Sequence, residues 1–262
     1  MARTWRSVGL QTDLELAATR GPVIDRDDYT LVTTPDDPSY YTGNTLVLPT
    51  APQVGEVAYW TRKFAAELGH DREIRHVALR WDGIAGDVGA RSELEAASFA
   101  IDTSVVMRAP RTISAPSTIY EVRPLGVREM QSTAELAFAI GDQHDETMRT
   151  FLARRAAWQA QLVGAGKAMW WGAFDHGTLV GSLGLVALGD RARYQDVQTA
   201  ATHRKRGVAS ALLVAAANAL LPSVSTLIIV AEPDSAAQRV YTRAGFVVFE
   251  RVVAACRYPA RE

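Results

Sequence analysis

The sequence has very little cysteine: Cys256 is the only one among its 262 residues. A single cysteine excludes an intramolecular disulfide, which is typical of the reducing cytoplasm, where we expect this protein to act. The five histidines are scattered along the chain. His70 and His76 lack the spacing of paired ligands on one helix, so no metal site is expected.

Neither sign of charge dominates, because 28 Lys and Arg residues face 29 Asp and Glu residues. A nearly neutral chain gives no global attraction to nucleic acid or to anionic membranes. The start of the chain has no apolar segment behind its arginines, so no signal peptide is expected. The most apolar run, residues 207–221, is shorter than the ~20 residues that cross a bilayer. We therefore interpret it as a buried helix and expect no membrane segment.

Two further motifs are missing. The chain has no Gly-x-Ser-x-Gly segment, and Cys256 lies in a strand-like stretch, so nucleophilic hydrolysis is disfavoured. The segment Gly164-Ala-Gly166-Lys167 lacks the upstream glycine and the following Ser or Thr of a phosphate-binding P-loop.

The composition is that of a folded protein, with 48% apolar and 22% charged residues. The length suits one large domain or two ordinary ones. Residues 108–117 combine prolines with small hydroxyl residues, and proline disfavours helix and strand interiors. We therefore predict a linker at 108–117 that separates an N-terminal domain, residues 1–107, from a C-terminal domain, residues 118–262.

The C-terminal domain alternates strand-like and helix-like patterns. Helical spacing of apolar residues predicts two helices within 127–162, separated near Gly141, and further helices at 206–220 and 234–243. Asp234 is expected to cap the last helix, and Gly245 to end it. Strands are predicted at 119–123, 169–174, 179–186, 194–199, 226–230 and 246–253, with a hairpin turn at 175–177. This order indicates the α+β class, with a mixed sheet flanked by helices.

The N-terminal domain is harder to interpret. Strands are predicted at 29–33, 46–48, 76–80 and 99–107, with a helix at 57–68. A polar aromatic loop holds Tyr40, Tyr41 and Asn44, for which substrate contact and a purely structural turn both remain open.

The chain shows signs of an internal repeat. Ser98-Phe99 precedes a Val-Val pair at the same spacing as Gly245-Phe246 does. The strand–loop–helix order of residues 41–69 also parallels that of residues 194–221. We therefore expect a tandem arrangement in which the first copy has changed more than the second.

The most informative segment, residues 197–210, leads from a strand through a basic turn into an apolar helix. The first amides of a helix lack internal partners, and the helix dipole adds positive charge, so such an end can hold a diphosphate. Gly207 lets phosphate oxygens approach the backbone, and Arg204, Lys205 and Arg206 add charged donors. Taken alone, the same residues also fit a solvated basic turn before a core helix.

Two segments together resemble one family. Arg204-Lys-Arg-Gly207-Val-Ala209 resembles the Arg/Gln-x-x-Gly-x-Gly/Ala signature of the GNAT (Gcn5-related N-acetyltransferase) superfamily. Residues 234–246 resemble the family's Asn-x-x-Ala-x-x-x-Tyr-x-x-x-Gly-Phe segment, with Asp234 in place of asparagine. The resemblance covers residues 119–257. It implies a GNAT-like acyl-CoA N-acyltransferase fold, with a degenerate copy of that fold in the N-terminal domain.

The resemblance also implies where acetyl-CoA binds. Two neighbouring strands of such a fold splay apart, and the pantetheine arm lies between them, paired with backbone groups such as those of Val197 and Thr199. The splayed strands are expected at 196–199 and 226–230. The expected cofactor-binding residues are Val197, Gln198, Thr199, Arg204, Lys205, Arg206, Gly207, Val208, Ala209, Ser210, Asp234, Ala237 and Tyr241.

The resemblance assigns three residues to the chemistry. Tyr241 has the position of the general acid that protonates the departing thiolate, although a core tyrosine fits the same pattern. Glu232 and Asp196 are the candidate general bases, and a chain of water molecules is the alternative.

The implied function is N-acetyl transfer from acetyl-CoA to a primary amine of a small molecule or peptide, by direct attack in a ternary complex. The alternative is a non-catalytic acyl-CoA-binding regulatory module. Nucleic-acid binding through the basic turn is disfavoured because the chain lacks a wider basic surface. The acceptor is unknown, and either a monomer or a homodimer is expected. In the first half of the chain, residues 53–57 correspond in position to the basic turn of the second half, but no Lys or Arg flanks them. One acetyl-CoA per chain is therefore expected.

Overall fold

The computed structural model describes residues 3–115 and 117–259. Pro116, in the predicted linker, lies outside the described residues. The chain divides into two compact units, the first formed by Met1–Val106 with Val248–Glu262 and the second by Met107–Val247. The end of the chain therefore groups with the first unit, whereas the sequence pattern alone places it with the second half.

Helices and strands alternate along most of the chain. The helices are α1 (Val8–Ala17), α2 (Val57–Leu68), α3 (Arg91–Ala96), α4 (Met130–Ile140), α5 (Glu146–Gly164), α6 (Val208–Asn218) and α7 (Ala236–Arg243). The strands are β1 (Val23–Asp25), β2 (Thr30–Val32), β3 (Thr45–Leu48), β4 (Val77–Trp81), β5 (Ala100–Pro110), β6 (Glu121–Leu125), β7 (Ala168–Asp175), β8 (Thr178–Leu188), β9 (Arg191–Thr199), β10 (Thr226–Ala231) and β11 (Val247–Arg257). No helix in the described ranges is long and apolar enough to cross a membrane.

The first unit has the strand order β1-β2-β3-β4-β11, with β5 next to β11. Helix α2 connects the parallel strands β3 and β4 and buries one face, formed by Val57, Trp60, Phe64 and Leu68. Strand β11 runs antiparallel to β4. The last strand of the chain is therefore part of the first unit's core, to which it contributes Val253 and Ala255.

The N-terminus of α1 is capped by a carboxylate from the other end of the chain. Glu250 of β11 is 5% exposed. Its carboxylate accepts hydrogen bonds from the Ser7 hydroxyl at 2.8 Å, the Val8 amide at 2.8 Å and the Gly9 amide at 3.1 Å. These amides have no partner inside the helix, and an acidic group is favoured at this end of the dipole. Ser7 caps the helix locally, since its hydroxyl accepts from the Leu10 amide at 3.1 Å, and the distant Glu250 satisfies the two amides before it.

We expect Glu250→Ala to lower the free energy of unfolding by about 2 kcal/mol, because it leaves buried donors without an acceptor. Chemical denaturation monitored by circular dichroism measures this change. Glu135→Ala, on the exposed side of α4, is the control and should change stability by less than about 0.5 kcal/mol. Equal stability of the two variants would show that the cap contributes nothing.

The second unit has the strand order β10-β9-β8-β7-β6. Strands β7, β8 and β9 are antiparallel to one another, whereas β10 is parallel to β9. The predicted hairpin turn is confirmed: His176 and Gly177 join β7 to β8 with φ angles of 47° and 80°. The predicted separation of two helices near Gly141 is also confirmed, since α4 ends at Ile140. The α+β class with a mixed sheet is thereby confirmed.

Helix α6 packs closely against β8. A Cβ atom added at Gly181 would lie 2.4 Å from Cγ1 of Val208 and 3.2 Å from Cδ1 of Leu212. A real Cβ is not tolerated at 2.4 Å, so the first turn of α6 approaches the β8 backbone because Gly181 has no side chain. The Tyr194 hydroxyl of β9 donates to the Leu213 carbonyl of α6 at 2.8 Å. The first contact places the start of α6 on β8, and the second joins the middle of α6 to β9.

Two local predictions are wrong. Ser235, not Asp234, caps α7: its hydroxyl accepts from the Gln238 amide at 3.1 Å, whereas Asp234 has a φ of 58° and precedes the cap. Strand β5 continues to Pro110, although residues 108–110 fall in the predicted linker. Proline is tolerated at a strand end, where its missing N–H removes no interior ladder bond.

The two halves of the chain repeat one order of elements, as the sequence predicts. Strand β3, helix α2, β4, α3 and β5 correspond to β9, α6, β10, α7 and β11. Both short helices end in the same way: the Phe99 amide donates to the Leu94 carbonyl at 2.9 Å, and the Phe246 amide to the Tyr241 carbonyl at 3.0 Å. Leu94 is thus the counterpart of Tyr241, so the first copy lacks the phenol.

Candidate functional site

The parallel strands β9 and β10 pair over only part of their length. Their register joins Arg191 to Thr226 and ends with Arg193 opposite Ile228, while β9 continues to Thr199 and β10 to Ala231. Within the described ranges no β9–β10 pair lies beyond Ile228. The strands therefore separate toward their carboxyl ends, at the position where the resemblance implies a gap.

The far part of β9 stays paired with β8, and a bulge interrupts that ladder. The register shifts between Ser182 and Gly184, where both Asp196 and Val197 lie opposite Leu183. The φ angle of Asp196, 47°, is unusual for a residue with a side chain. Beyond the bulge, the Ala200 amide donates to the Val180 carbonyl of β8 at 2.8 Å.

Alternation along β9 then decides which backbone groups face the gap. Successive residues of a strand direct their backbone groups to opposite sides. Because the Ala200 amide points to β8, the groups of Gln198 point there too, and those of Val197 and Thr199 point away from β8. These two residues thus present backbone donors and acceptors on the side of the gap.

The loop after β9 has an unusual backbone conformation. Lys205 and Gly207 adopt positive φ angles of 61° and 83°, and Gly207 directly precedes α6 without a side-chain cap. A Cβ built at Gly207 meets no atom within 4 Å, so the space beside this helix start is open. The exposed residues here are Arg204, Lys205, Arg206 and Gly207; Val208 is buried, and Ala209 and Ser210 are half-buried.

A histidine that the sequence did not single out anchors this loop. His203 directly precedes Arg204 in the chain, and its Nε2 is 3.0 Å from an Asp175 carboxylate oxygen at the β7–β8 hairpin. The Tyr120 ring packs edge-on against His203, with 5.9 Å between ring centroids. The basic turn is thereby held to the hairpin. No sequence pattern indicates this pair, because its members belong to different elements.

Tyr241 is a buried residue of α7. It is 5% exposed, and its ring centroid lies 6.3 Å from that of Phe246. Burial raises the pKa of the Tyr241 phenol to about 12, because the charged form is poorly solvated. The hydroxyl is therefore protonated at neutral pH.

The two predicted bases have different surroundings. Glu232 directly follows β10 and is exposed. Asp196 is held by α5: Arg155 Nη1 lies 3.2 Å from one carboxylate oxygen, and Gln159 Nε2 donates to the other at 2.8 Å. Both Asp196 oxygens are thus engaged, which favours Glu232 over Asp196 as an acceptor of protons.

The remaining predicted residues lie around the start of α7 and on β9. Asp234 and Ala237 are both exposed, and the Asp234 amide donates to the Gln238 side chain at 2.6 Å. The Gln198 side chain is buried and donates to the Thr133 carbonyl. Gln198 therefore has no side-chain amide to offer a ligand in the gap.

In the corresponding loop of the first unit, backbone amides are hydrogen-bonded to carboxylates of the same unit. Gly55, with a φ of 90°, stands where Gly207 stands, but its amide donates to Glu93 at 2.7 Å. The Gln53 amide donates to Glu56 at 2.9 Å. Strands β3 and β4 pair up to their last residues, including Leu48 with Trp81. This loop thus has internal anions and no strand gap beside it.

The polar aromatic loop of the first unit is a structural turn. The Asn44 amide nitrogen donates to the carbonyls of Asp37 at 2.9 Å and Tyr40 at 3.1 Å, and its oxygen accepts from the Thr34 amide at 2.8 Å. Asn44 is 1% exposed, so its polar atoms serve the turn itself.

The fold and the site together define a tandem α+β protein in which the gap between β9 and β10 lies beside a basic helix start without a side-chain cap. Residues 136–255 match the family model described as acetyltransferase (GNAT) domain. The second half of the chain therefore carries a GNAT domain, and the resemblance seen in its two sequence segments is confirmed. No curated protein matches the sequence.

Solved structures share the fold over nearly the whole chain. A conserved protein of unknown function from Staphylococcus epidermidis ATCC 12228 is 11% identical, with a TM-score of 0.74, covering 92% of this chain and 95% of its own. A GCN5-related N-acetyltransferase from Kribbella flavida is 11% identical, with a TM-score of 0.64 and 96% of each chain covered. A tandem GNAT protein from the clavulanic acid biosynthesis pathway is 16% identical, with a TM-score of 0.55, covering 82% of this chain and 74% of its own. These identities establish the fold alone.

Proposed function

We propose that this protein is an N-acetyltransferase that transfers an acetyl group from acetyl-CoA to a primary amine of a small molecule or peptide. The observation that carries the proposal is the loss of β9–β10 pairing beyond Arg193 and Ile228, next to the basic start of α6. A gap with free backbone groups on one side and an anion-binding helix start at its mouth suits a pantetheine diphosphate.

Binding uses the loop and β9. The first amides of α6 and the side chains of Arg204, Lys205 and Arg206 hold the diphosphate, and the exposed backbone at Gly207 lets it approach closely. Backbone groups of Val197 and Thr199 pair with the amides of the pantetheine arm. The thioester is thereby fixed beside the acceptor, which replaces a bimolecular encounter with a positioned attack.

The chemistry moves three protons. An alkylamine with a pKa of about 10.4 is mostly protonated at neutral pH, so it first loses a proton to Glu232, directly or through water. The amine nitrogen then attacks the thioester carbonyl in a ternary complex, the carbon–sulfur bond breaks, and Tyr241 donates its proton to the departing thiolate. The new amide nitrogen releases its second proton through water, which returns Tyr241 to the neutral phenol that its raised pKa favours.

A thermal-shift screen with acetyl-CoA, CoA and longer acyl-CoAs tests the proposal. A ligand present at 100 times its dissociation constant should add about 2.7 kcal/mol to the free energy of unfolding. Calorimetric titration should give one CoA per chain, since the loop of the first unit is bonded to Glu93 and Glu56.

Turnover separates an enzyme from a binding module. Thiol release from acetyl-CoA is measured with a panel of primary amines, polyamines, aminoglycosides and peptides. Release with any of them supports acetyl transfer, whereas tight CoA binding without turnover supports a non-catalytic acyl-CoA sensor. No stabilisation by any acyl-CoA would refute both.

A further inference from the structure

A chain of buried polar side chains lies behind the β9 bulge. Gln159 of α5 is 1% exposed, and its amide nitrogen donates to Asp196 at 2.8 Å. Its oxygen lies 2.9 Å from the Thr133 hydroxyl of α4, which shares its single proton with the Met130 carbonyl at 2.7 Å. Both polar atoms of Gln159 are therefore satisfied, one by the bulge residue and one by the neighbouring helix.

The same series of hydrogen-bonded side chains contacts β9 at a second residue. The Gln198 amide nitrogen donates to the Thr133 carbonyl at 3.0 Å and to the Ser182 hydroxyl of β8 at 2.7 Å. Ser182 is fully buried, and Thr133 is 2% exposed. Residues on both sides of Val197, namely Asp196 and Gln198, are thus tied to the same pair of helices.

These bonds act on a strained part of the backbone. A bulge residue with φ at 47° occupies a conformation that side-chain-bearing residues adopt at a cost. Asp196 is held there by its bonds to Gln159 and Arg155. Buried amides are costly unless their polar atoms are bonded, and a bonded network of this kind restricts the positions of its members.

The consequence for β9 follows from alternation. With Asp196 and Gln198 drawn to the α4–α5 side, Val197 between them is turned so that its backbone groups face away from β8. Thr199 follows in the same register. A change in the bulge of one residue would exchange the two sets of backbone groups.

We propose that Gln159 is a positioning residue for acyl-CoA binding, acting through Asp196 to hold Val197 and Thr199 toward the strand gap. The inference rests on the proposed function, because it takes the gap to be the pantetheine site. Gln159 itself touches neither substrate. It sets the backbone that does, and the binding strand is thereby tied to the paired helices α4 and α5.

Gln159→Leu tests this, since leucine is of similar size and makes none of the hydrogen bonds. We expect the dissociation constant for CoA, measured by calorimetry, to rise about tenfold. Leu152→Val is the matched control: it trims a buried residue of the same helix outside the hydrogen-bonded chain and should keep the wild-type constant. Both are measured well below their melting temperatures.

A second pair of variants keeps the test independent of the folding of Gln159→Leu. Thr133→Ser retains the hydroxyl and should bind CoA like the wild type, whereas the isosteric Thr133→Val should bind about tenfold more weakly. Wild-type affinity in Gln159→Leu, or equal weakening in Leu152→Val, overturns the positioning role while the proposed function stands. Failure of the wild type itself to bind CoA overturns the proposed function and this inference together.

Discussion

Gly207→Val is expected to weaken acetyl-CoA binding about a hundredfold. Gly207 has a φ of 83°, which a β-branched residue adopts only with strain of about 1–2 kcal/mol. The valine side chain would also occupy the open space beside the first amides of α6, and the diphosphate would lose donors worth about 1.5–3 kcal/mol. Calorimetric titration with CoA measures the loss.

The first half of the chain supplies the matched control. Gly55 has a φ of 90°, and a Cβ built there also meets no atom within 4 Å. Gly55→Val therefore introduces the same backbone strain in the loop bonded to Glu93, without touching the proposed site. It should lower the melting temperature and leave CoA affinity unchanged. Similar CoA affinities in the two variants would contradict a diphosphate site at Gly207.

Tyr241→Phe is expected to lower kcat by about 10²–10⁴-fold, the usual range for loss of a positioned proton donor. The phenol is buried and its pKa is raised to about 12, so the native residue remains a donor across the neutral range. Phenylalanine keeps the ring and its packing against Phe246. The dissociation constant for CoA should therefore change little, and steady-state kinetics with a responsive amine separates the two quantities.

Tyr194→Phe controls for the loss of any buried phenol in this unit. The Tyr194 ring also packs against Phe246, with 5.9 Å between centroids, but its hydroxyl is bonded to the Leu213 carbonyl. Its removal should cost about 1 kcal/mol of stability and leave kcat within a few-fold of the wild type. If both variants turn over at wild-type rates, the proton on the leaving thiolate comes from elsewhere.

Periodic burial made much of the fold predictable. Helix α2 occupies the predicted residues 57–68, because Val57, Trp60, Phe64 and Leu68 recur at helical spacing and are all buried. The hairpin at 175–177 was predictable because Gly177 supplies the positive φ that the turn requires. The helix pair α4 and α5 was predictable because Gly141 interrupts an otherwise helical pattern.

Elements that depend on distant residues were not predictable. Helix α1 has a local cap in Ser7, but the carboxylate that accepts from its Val8 and Gly9 amides belongs to Glu250 of β11, which no local pattern reveals. The start of α7 was misplaced because Asp234 and Ser235 are both good caps, and only the backbone decides which one precedes the first helical turn.

Some residues of the candidate site were predictable from the sequence, and others were not. The basic turn and Tyr241 were visible in the sequence, because short segments with fixed spacing carry them. Gln159 was not visible, since its partners Asp196 and Thr133 come from β9 and α4 and only the fold brings them together. His203 was not predictable because its partner, Asp175, is the last residue of a different element, strand β7.

The grouping of β11 with the first unit bears on how the protein is made. A ribosome releases the N-terminal half first, and such halves commonly fold during synthesis. Here β4 pairs with residues 254–257, and α1 takes its cap from Glu250. The first unit therefore cannot complete its fold until nearly the whole chain has been synthesised. The N-terminal half, which has Leu94 in place of Tyr241, becomes native only after the C-terminal half has been translated.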